Sequence, residues 1–199
     1  MTSTTSSTPS DTDGVAHAPV RIVGIVASPH ASAKTSAAVA AVLEGLRCRE
    51  GTETELIALT ETDSAVAIDA VERADAVVFG SPVYRAAHTS LLSSFLEALE
   101  RGKKHENRAP LQGTAAAIVM TGGSAHHFLA SGSLLTTLSG FFAAQVLSPP
   151  QYFEPGDFTN SGALTADAAA RAYQTGAALG ELAAAISSSR FLKHMEPRI

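Results

Sequence analysis

Residues 76–90 read Ala76-Val77-Val78-Phe79-Gly80-Ser81-Pro82-Val83-Tyr84-Arg85-Ala86-Ala87-His88-Thr89-Ser90. The first five form an unbroken apolar run, the pattern of a strand buried on both faces rather than on one. A rigid, proline-containing turn follows, and then the spacing changes to helical at Leu91, Leu92, Phe95, Leu96 and Leu99. A doubly buried strand leading directly into an amphipathic helix is half of a parallel crossover, because parallel neighbours need a long connection between them. This stretch therefore sets the expectation of an α/β fold.

The alternation continues in both directions. Upstream, Val20 to Ala27 reads as a strand and Lys34 to Arg47 as a helix, carried by Val39, Val42, Leu43 and Leu46; Glu53 to Leu59 and Ser64 to Ala74 repeat the pair. Downstream, Thr114 to Thr121 reads as a strand, His127 to about Ala143 as a helix and Gln145-Val146-Leu147 as a short fifth strand. Pro149-Pro150 and Glu154 to Gly162 have loop composition, and Ala166 to Ser188 closes as a helix. Five strands alternating with helices predict a doubly wound parallel sheet in a three-layer α/β/α arrangement with right-handed crossovers. Ligands of such sheets bind beyond the carboxyl ends of the strands at the topological switch point, which selects three loops.

A chain of 199 residues, 45% hydrophobic and 17% charged, suits one domain with a sizeable core. No apolar run reaches the roughly 20 residues of a membrane-spanning helix, so a soluble protein without a membrane partner is expected. Residues 1–19 are rich in Ser and Thr and lack the basic start and apolar stretch of a secretory signal; they read as a disordered tail, with the domain over 20–190 and a C-terminal tail over 191–199. Cys48 is the only cysteine, which excludes an internal disulfide and a cysteine-based metal site of ordinary ligand count and fits a reducing cytoplasm. Its place late in a helix predicts a packed, inert thiol. A net charge of −5 argues against a general nucleic-acid binder. A small partner is expected, and it can still be an anion held by local donors at a helix end.

The first loop, Ser28-Pro29-His30-Ala31-Ser32-Ala33-Lys34-Thr35-Ser36, places hydroxyls and one ammonium between a strand end and a helix start. Free N–H groups and the helix dipole favour an anion there, and the composition suits a phosphate. Lacking glycine, the loop is neither a Walker nor a Rossmann motif, and taken alone it also suits an ordinary helix cap. In the second loop, Pro82 fixes one φ, so the chain beside it can lie against a flat apolar ligand, with Tyr84 and Arg85 at its border. In the third, Met120-Thr121-Gly122-Gly123-Ser124-Ala125-His126-His127, two adjacent glycines permit close backbone approach to a heterocycle. His126 and His127 diverge on a helix and have no acidic or cysteine neighbour in sequence, so no metal site is expected.

On Gly80-Ser81-Pro82-Val83-Tyr84 through Phe95-Leu96, and on Thr121-Gly122-Gly123-Ser124 with His127 shortly after, the chain resembles the NAD(P)H-dependent FMN reductases of the flavodoxin-like superfamily. It is similar in particular to the reductase components of two-component alkanesulfonate monooxygenase systems, and the resemblance covers about Arg21 to Leu182. It implies a flavodoxin-like fold, FMN and NAD(P)H as cofactors, and a homodimer or homotetramer. Ser28, Lys34, Thr35 and Ser36 would hold the FMN phosphate with His30 beside them. Pro82, Val83, Tyr84 and Arg85, together with Thr121, Gly122, Gly123 and Ser124, would surround the isoalloxazine, with His127 at the ligand edge.

The implied reaction passes hydride from nicotinamide to flavin N5 once the rings stack, and it asks no catalytic side chain of the protein, only alignment and tuning. Reduced FMN would then leave for a partner monooxygenase. Two alternatives stay open: an FMN-retaining reductase of quinones, azo compounds or metal ions, and a flavodoxin-like electron carrier. The chain departs from the family pattern at His30, where arginine is usual, at Ala33, where serine is frequent, and at Ser131-Gly132-Ser133, where the alkanesulfonate-type reductases carry a tyrosine.

Overall fold

The strand Ala76–Pro82 is buried at every position, as its unbroken apolar run requires. A computed structural model describes residues 20–30, 33–48, 50–99 and 109–196. Numbered in chain order, the elements that build the first half are β1 (Val20–Val26), α1 (Ala33–Leu46), β2 (Thr52–Ala58), α2 (Ser64–Glu72), β3 (Ala76–Pro82), α3 (Ser90–Ala98) and β4 (Ala115–Thr121). The sheet runs in the order β2-β1-β3-β4-β5, with β5 at Gln145–Val146 and all pairings parallel. The order reverses direction between β1 and β3, so the switch point lies there. This is the doubly wound fold that the alternation predicts, in the flavodoxin-like form that the resemblance implies.

Because side chains alternate across each strand, the sheet feeds two cores. Ile25, Phe79 and Ile118 face α2, α3 and the segment after β4. Ile22, Val78 and Ala117 face α1 and the long closing helix α5 (Ala166–Ser188). Gly45 and Gly176 bring these two helices together: a Cβ at Gly176 would run into the Val42 carbonyl, and one at Gly45 into the backbone of Tyr173. None of the described helices is long and apolar enough to cross a membrane.

Three expectations need correction. The stretch after Pro150 contains a sixth strand, β6 (Gln151–Phe153), which pairs parallel with the far end of β4, Val119 opposite Gln151 and Thr121 opposite Phe153. A three-residue strand carries too short a pattern to be legible among prolines and glycine.

The helix expected over 127–143 is three pieces: a 3₁₀ stretch Ala125–Ser131, the short α-helix α4 (Gly132–Thr136) and a π-turn Thr137–Phe141. Thr136, Thr137 and Ser139 each donate a hydroxyl to the carbonyl four residues back, at 3.0, 3.0 and 2.7 Å, which competes with a regular backbone ladder. Ala143, at φ 58°, ends the segment.

Cys48 lies just beyond α1 and is exposed rather than packed, its thiol donating to the Gly45 carbonyl at 2.8 Å. Past α5, a 3₁₀ turn Leu192–His194 sets Leu192 against the α1/α5 core. Residues 1–19, read as a tail, lie outside the described residues.

Candidate functional site

The carboxyl ends of β1, β3 and β4 lie side by side, and a loop leaves each. In the first loop, Ser28 is buried and donates its hydroxyl to the His30 carbonyl at 2.6 Å, so it shapes the turn. His30 is exposed, and Ala31 and Ser32 lie outside the described residues. Lys34 is exposed on the first turn of α1, with Nζ 5.2 Å from the centre of the Phe158 ring. Ser36 is half-buried. Thr35 is fully buried and shares a 2.8 Å hydroxyl–hydroxyl bond with Thr121 at the end of β4.

The second loop is held by a hydroxyl network at its base. Ser81 Oγ donates to the Pro82 carbonyl at 3.0 Å and accepts from the Thr89 N–H at 3.0 Å. Thr89 Oγ1 donates to the Ala27 carbonyl at 2.8 Å, and as the N-cap of α3 it accepts from the Leu92 N–H at 3.3 Å. Ends of the loop 62 residues from Ala27 are thereby tied to the exit of β1. The Val83 N–H donates to the Thr121 carbonyl at 2.7 Å, which binds this loop to the third.

Beyond Val83 the chain forms a tight hairpin in which Tyr84 and Ala87 exchange backbone bonds of 2.9 and 3.1 Å. Its tip residues Arg85 and Ala86 have φ of 52° and 61°, the mirror-image turn normally taken by Asn and Gly. Each non-glycine residue held there costs about 1–3 kcal/mol. Tyr84 is 46% exposed, and Arg85 is exposed at the tip.

In the third loop, the Gly122 N–H donates to the Phe153 carbonyl at 3.0 Å. Tyr152 donates its hydroxyl to the Ser124 carbonyl at 2.6 Å, and burial pushes this phenol above its ordinary value, so it stays protonated as the donor. A Cβ at Gly122 would collide with the Tyr152 hydroxyl, whereas one at Gly123 would meet nothing within 4 Å. Ser124 caps the 3₁₀ stretch by accepting from the His126 N–H at 3.3 Å, and its carbonyl also takes the His127 N–H at 3.2 Å. Both histidines are exposed. Among the described residues, no bond within the chain engages the N–H groups of Gly123 and Ser124, and no group of three or more His, Cys, Asp or Glu could hold a metal.

The structure thus brings together all three loops singled out in the sequence. Sequence reasoning missed Tyr152, Ser81 and Thr89, which hold those loops in place. For Thr89 the local signal was a threonine two residues before the helical stripe that begins at Leu91, an N-cap position; Ser81 carried none. For Tyr152 the signal was only the β-prone triplet Gln151-Tyr152-Phe153.

Comparison with known proteins agrees with this geometry. The chain is 28% identical over 144 residues to the NADH-dependent FMN reductase SfnF of Pseudomonas putida, covering 64% of this chain and 74% of that one. Its fold resembles the apo form of the NADH:FMN oxidoreductase EMOB, with a TM-score of 0.71 at 23% identity over 90% of this chain and 97% of that one. It also resembles an archaeal flavodoxin, with a TM-score of 0.59 at 14% identity over 83% and 99%. The family model for NADPH-dependent FMN reductases matches residues 20–159, a span that takes in the switch point and all three loops. The chain belongs to the NADPH-dependent FMN reductase family, oxidoreductases that work with FMN and a reduced nicotinamide nucleotide.

Proposed function

We propose that this enzyme reduces FMN as an exchangeable substrate and supplies the reduced flavin to a partner monooxygenase. The observation that carries this reading is the first loop. Lys34, the cation assigned to the FMN phosphate, is exposed and rests over the Phe158 ring, and the exposed His30 stands where the family usually has arginine. A phosphate held by one serine hydroxyl, backbone N–H groups and one solvated ammonium is bound less firmly than one gripped by a buried arginine fork.

The residues present fit FMN. Lys34 and Ser36 bring side-chain donors to the phosphate end, and Ser28 and Thr35 act there through their N–H groups because their hydroxyls are committed to the His30 carbonyl and to Thr121. Pro82, Val83, Tyr84 and Arg85 border one edge of the isoalloxazine, while the free N–H groups of Gly123 and Ser124 face another with open space at Gly123. FMN supplies the hydride-accepting chemistry when bound. The chain's own part is to orient the ring, exclude water from its buried edge and leave a face open to the nicotinamide. Phe128, Leu129 and Phe141 lie 60%, 73% and 47% exposed on the segment after the third loop, and we assign that apolar surface to a homo-oligomer contact.

The test is nicotinamide oxidation by the purified protein, with NADH and with NADPH, each with and without added FMN. Exchange predicts turnover that depends on added FMN and flavin lost on desalting. Ping-pong turnover with firmly retained yellow flavin would replace this reading with the FMN-retaining reductase, and absence of nicotinamide oxidation would leave an electron carrier.

A further inference from the structure

We infer that Tyr152 is a positioning residue for the flavin, acting through the third loop. This rests on the reading that the Gly122-Gly123-Ser124 turn contacts the isoalloxazine. Tyr152 sits on β6, opposite Met120 of β4, and so belongs to the sheet rather than to the loop it controls. Its hydroxyl reaches the Ser124 carbonyl at 2.6 Å across 28 residues of sequence, and its ring end occupies the space that a side chain at residue 122 would need.

Two consequences follow for the loop. The bond fixes the plane of the Ser124–Ala125 peptide, and because that peptide is trans, the Ala125 N–H points away from Tyr152 while the carbonyl points toward it. The Gly122 N–H is meanwhile taken by the Phe153 carbonyl, so the two neighbouring β6 residues together hold both ends of the three-residue turn. The Ala125 N–H is thereby oriented, and the N–H groups of Gly123 and Ser124 lie between the two anchors before any ligand arrives. Such preorganisation lowers the ordering cost of binding. Without the hydroxyl, the Ser124 carbonyl keeps only the His127 N–H, and the Ser124 end of the turn loses its tie to the sheet while the Gly122 end keeps its bond to Phe153.

The experiment uses Tyr152→Phe, which keeps the ring against Gly122 and removes only the hydroxyl, compared with Gly123→Ala and wild type. FMN and riboflavin affinities are measured by flavin fluorescence quenching, with circular dichroism of the bound flavin in the visible region and thermal unfolding of the flavin-free protein alongside. Tyr152→Phe is expected to weaken FMN and riboflavin equally, by about tenfold, as for one lost hydrogen bond. It should also change the visible dichroism of the bound ring while the flavin-free unfolding temperature moves by no more than about 2–4 °C. Unchanged affinity and dichroism in Tyr152→Phe, with Gly123→Ala impaired, would overturn the role of Tyr152 but leave the loop in the site. Unchanged flavin binding in both variants would remove the loop from the site and this inference with it. Weaker FMN with unchanged riboflavin would also overturn it, since the effect would then lie at the phosphate.

Discussion

Thr35 Oγ1 and Thr121 Oγ1 lie 2.8 Å apart, both residues buried, one on the first turn of α1 and the other at the last position of β4. The family resemblance assigns them to opposite ends of the flavin, yet their hydroxyls are partners of each other. The bond ties the first loop to the third, so it sets the spacing between the two halves of the proposed site. Removing one partner strands a buried hydroxyl and costs about 1–3 kcal/mol, whereas removing both avoids that penalty. Thr35→Val and Thr121→Val are each expected to lower stability in urea by that order, with the double variant well above the sum. Additive losses in the double-mutant cycle would show that the two hydroxyls are not coupled.

The two glycines of the third loop are expected to respond differently. Gly122→Ala drives a methyl group into the Tyr152 hydroxyl and destabilises the flavin-free protein by about 1–3 kcal/mol, the usual cost of overpacking. Gly123→Ala adds a methyl group in open space at a residue without positive φ, so the fold is unaffected. If the loop lies against the ring, Gly123→Ala loses FMN binding and nicotinamide oxidation at an unchanged unfolding temperature. Normal FMN affinity in a folded Gly123→Ala protein would count against that contact.

Lys34→Ala tests the phosphate end. A charge-assisted bond to phosphate is worth about 1.5–3 kcal/mol, and the solvent exposure of Lys34 puts the expectation at the lower limit, about tenfold in FMN affinity. Riboflavin, which has no phosphate, should bind as to wild type. Equal loss for both flavins in a titration would reject the assignment.

Most of the apolar residues after the second and third loops fill the monomer: Leu92, Phe95, Leu134, Leu138 and Phe142 are buried. Phe128, Leu129 and Phe141 are exposed, and the proposed homo-oligomer contact is assigned to them. Light scattering is expected to give a multiple of the 20.4 kDa chain mass, reduced toward one chain by Leu129→Lys. A wild-type monomer at micromolar concentration would end this assignment.

His88 gives a pH dependence. It lines a cleft of about 490 Å³ with Ser93, Glu97 and Phe142; its Nε2 lies 3.1 Å from Ser93 Oγ, and its Nδ1 is buried without a hydrogen-bond partner among the described residues. Burial lowers its pKa from the ordinary 6.5, so the folded state favours the neutral ring. The unfolded chain then binds more protons between the two values, and stability contributed by the neutral ring is complete above 6.5 and lost as pH falls through the lowered value. Unfolding midpoints measured from pH 7 downward should fall more steeply for wild type than for His88→Gln. Parallel curves would show that His88 carries none of the dependence.

The sequence by itself determined the layers and the ends of the sheet that matter. The unbroken run Ala76 to Gly80, the alternation around it and the 23-residue helix Ala166–Ser188 depend on local periodicity, which a single chain displays without reference to its partners. From that pattern the switch-point rule located all three loops. Only the tertiary structure decided what holds them. Thr35 meets Thr121, Thr89 meets Ala27 and Tyr152 meets Ser124 across 86, 62 and 28 residues, because strand order and register bring those positions together. The breaking of the helix after the third loop was equally hidden, since its apolar spacing is helical and the hydroxyls of Thr136, Thr137 and Ser139 act only once the backbone carbonyls are in place. Periodicity is a property of neighbours along the chain; the geometry of this site depends on contacts that no neighbour along the chain can specify.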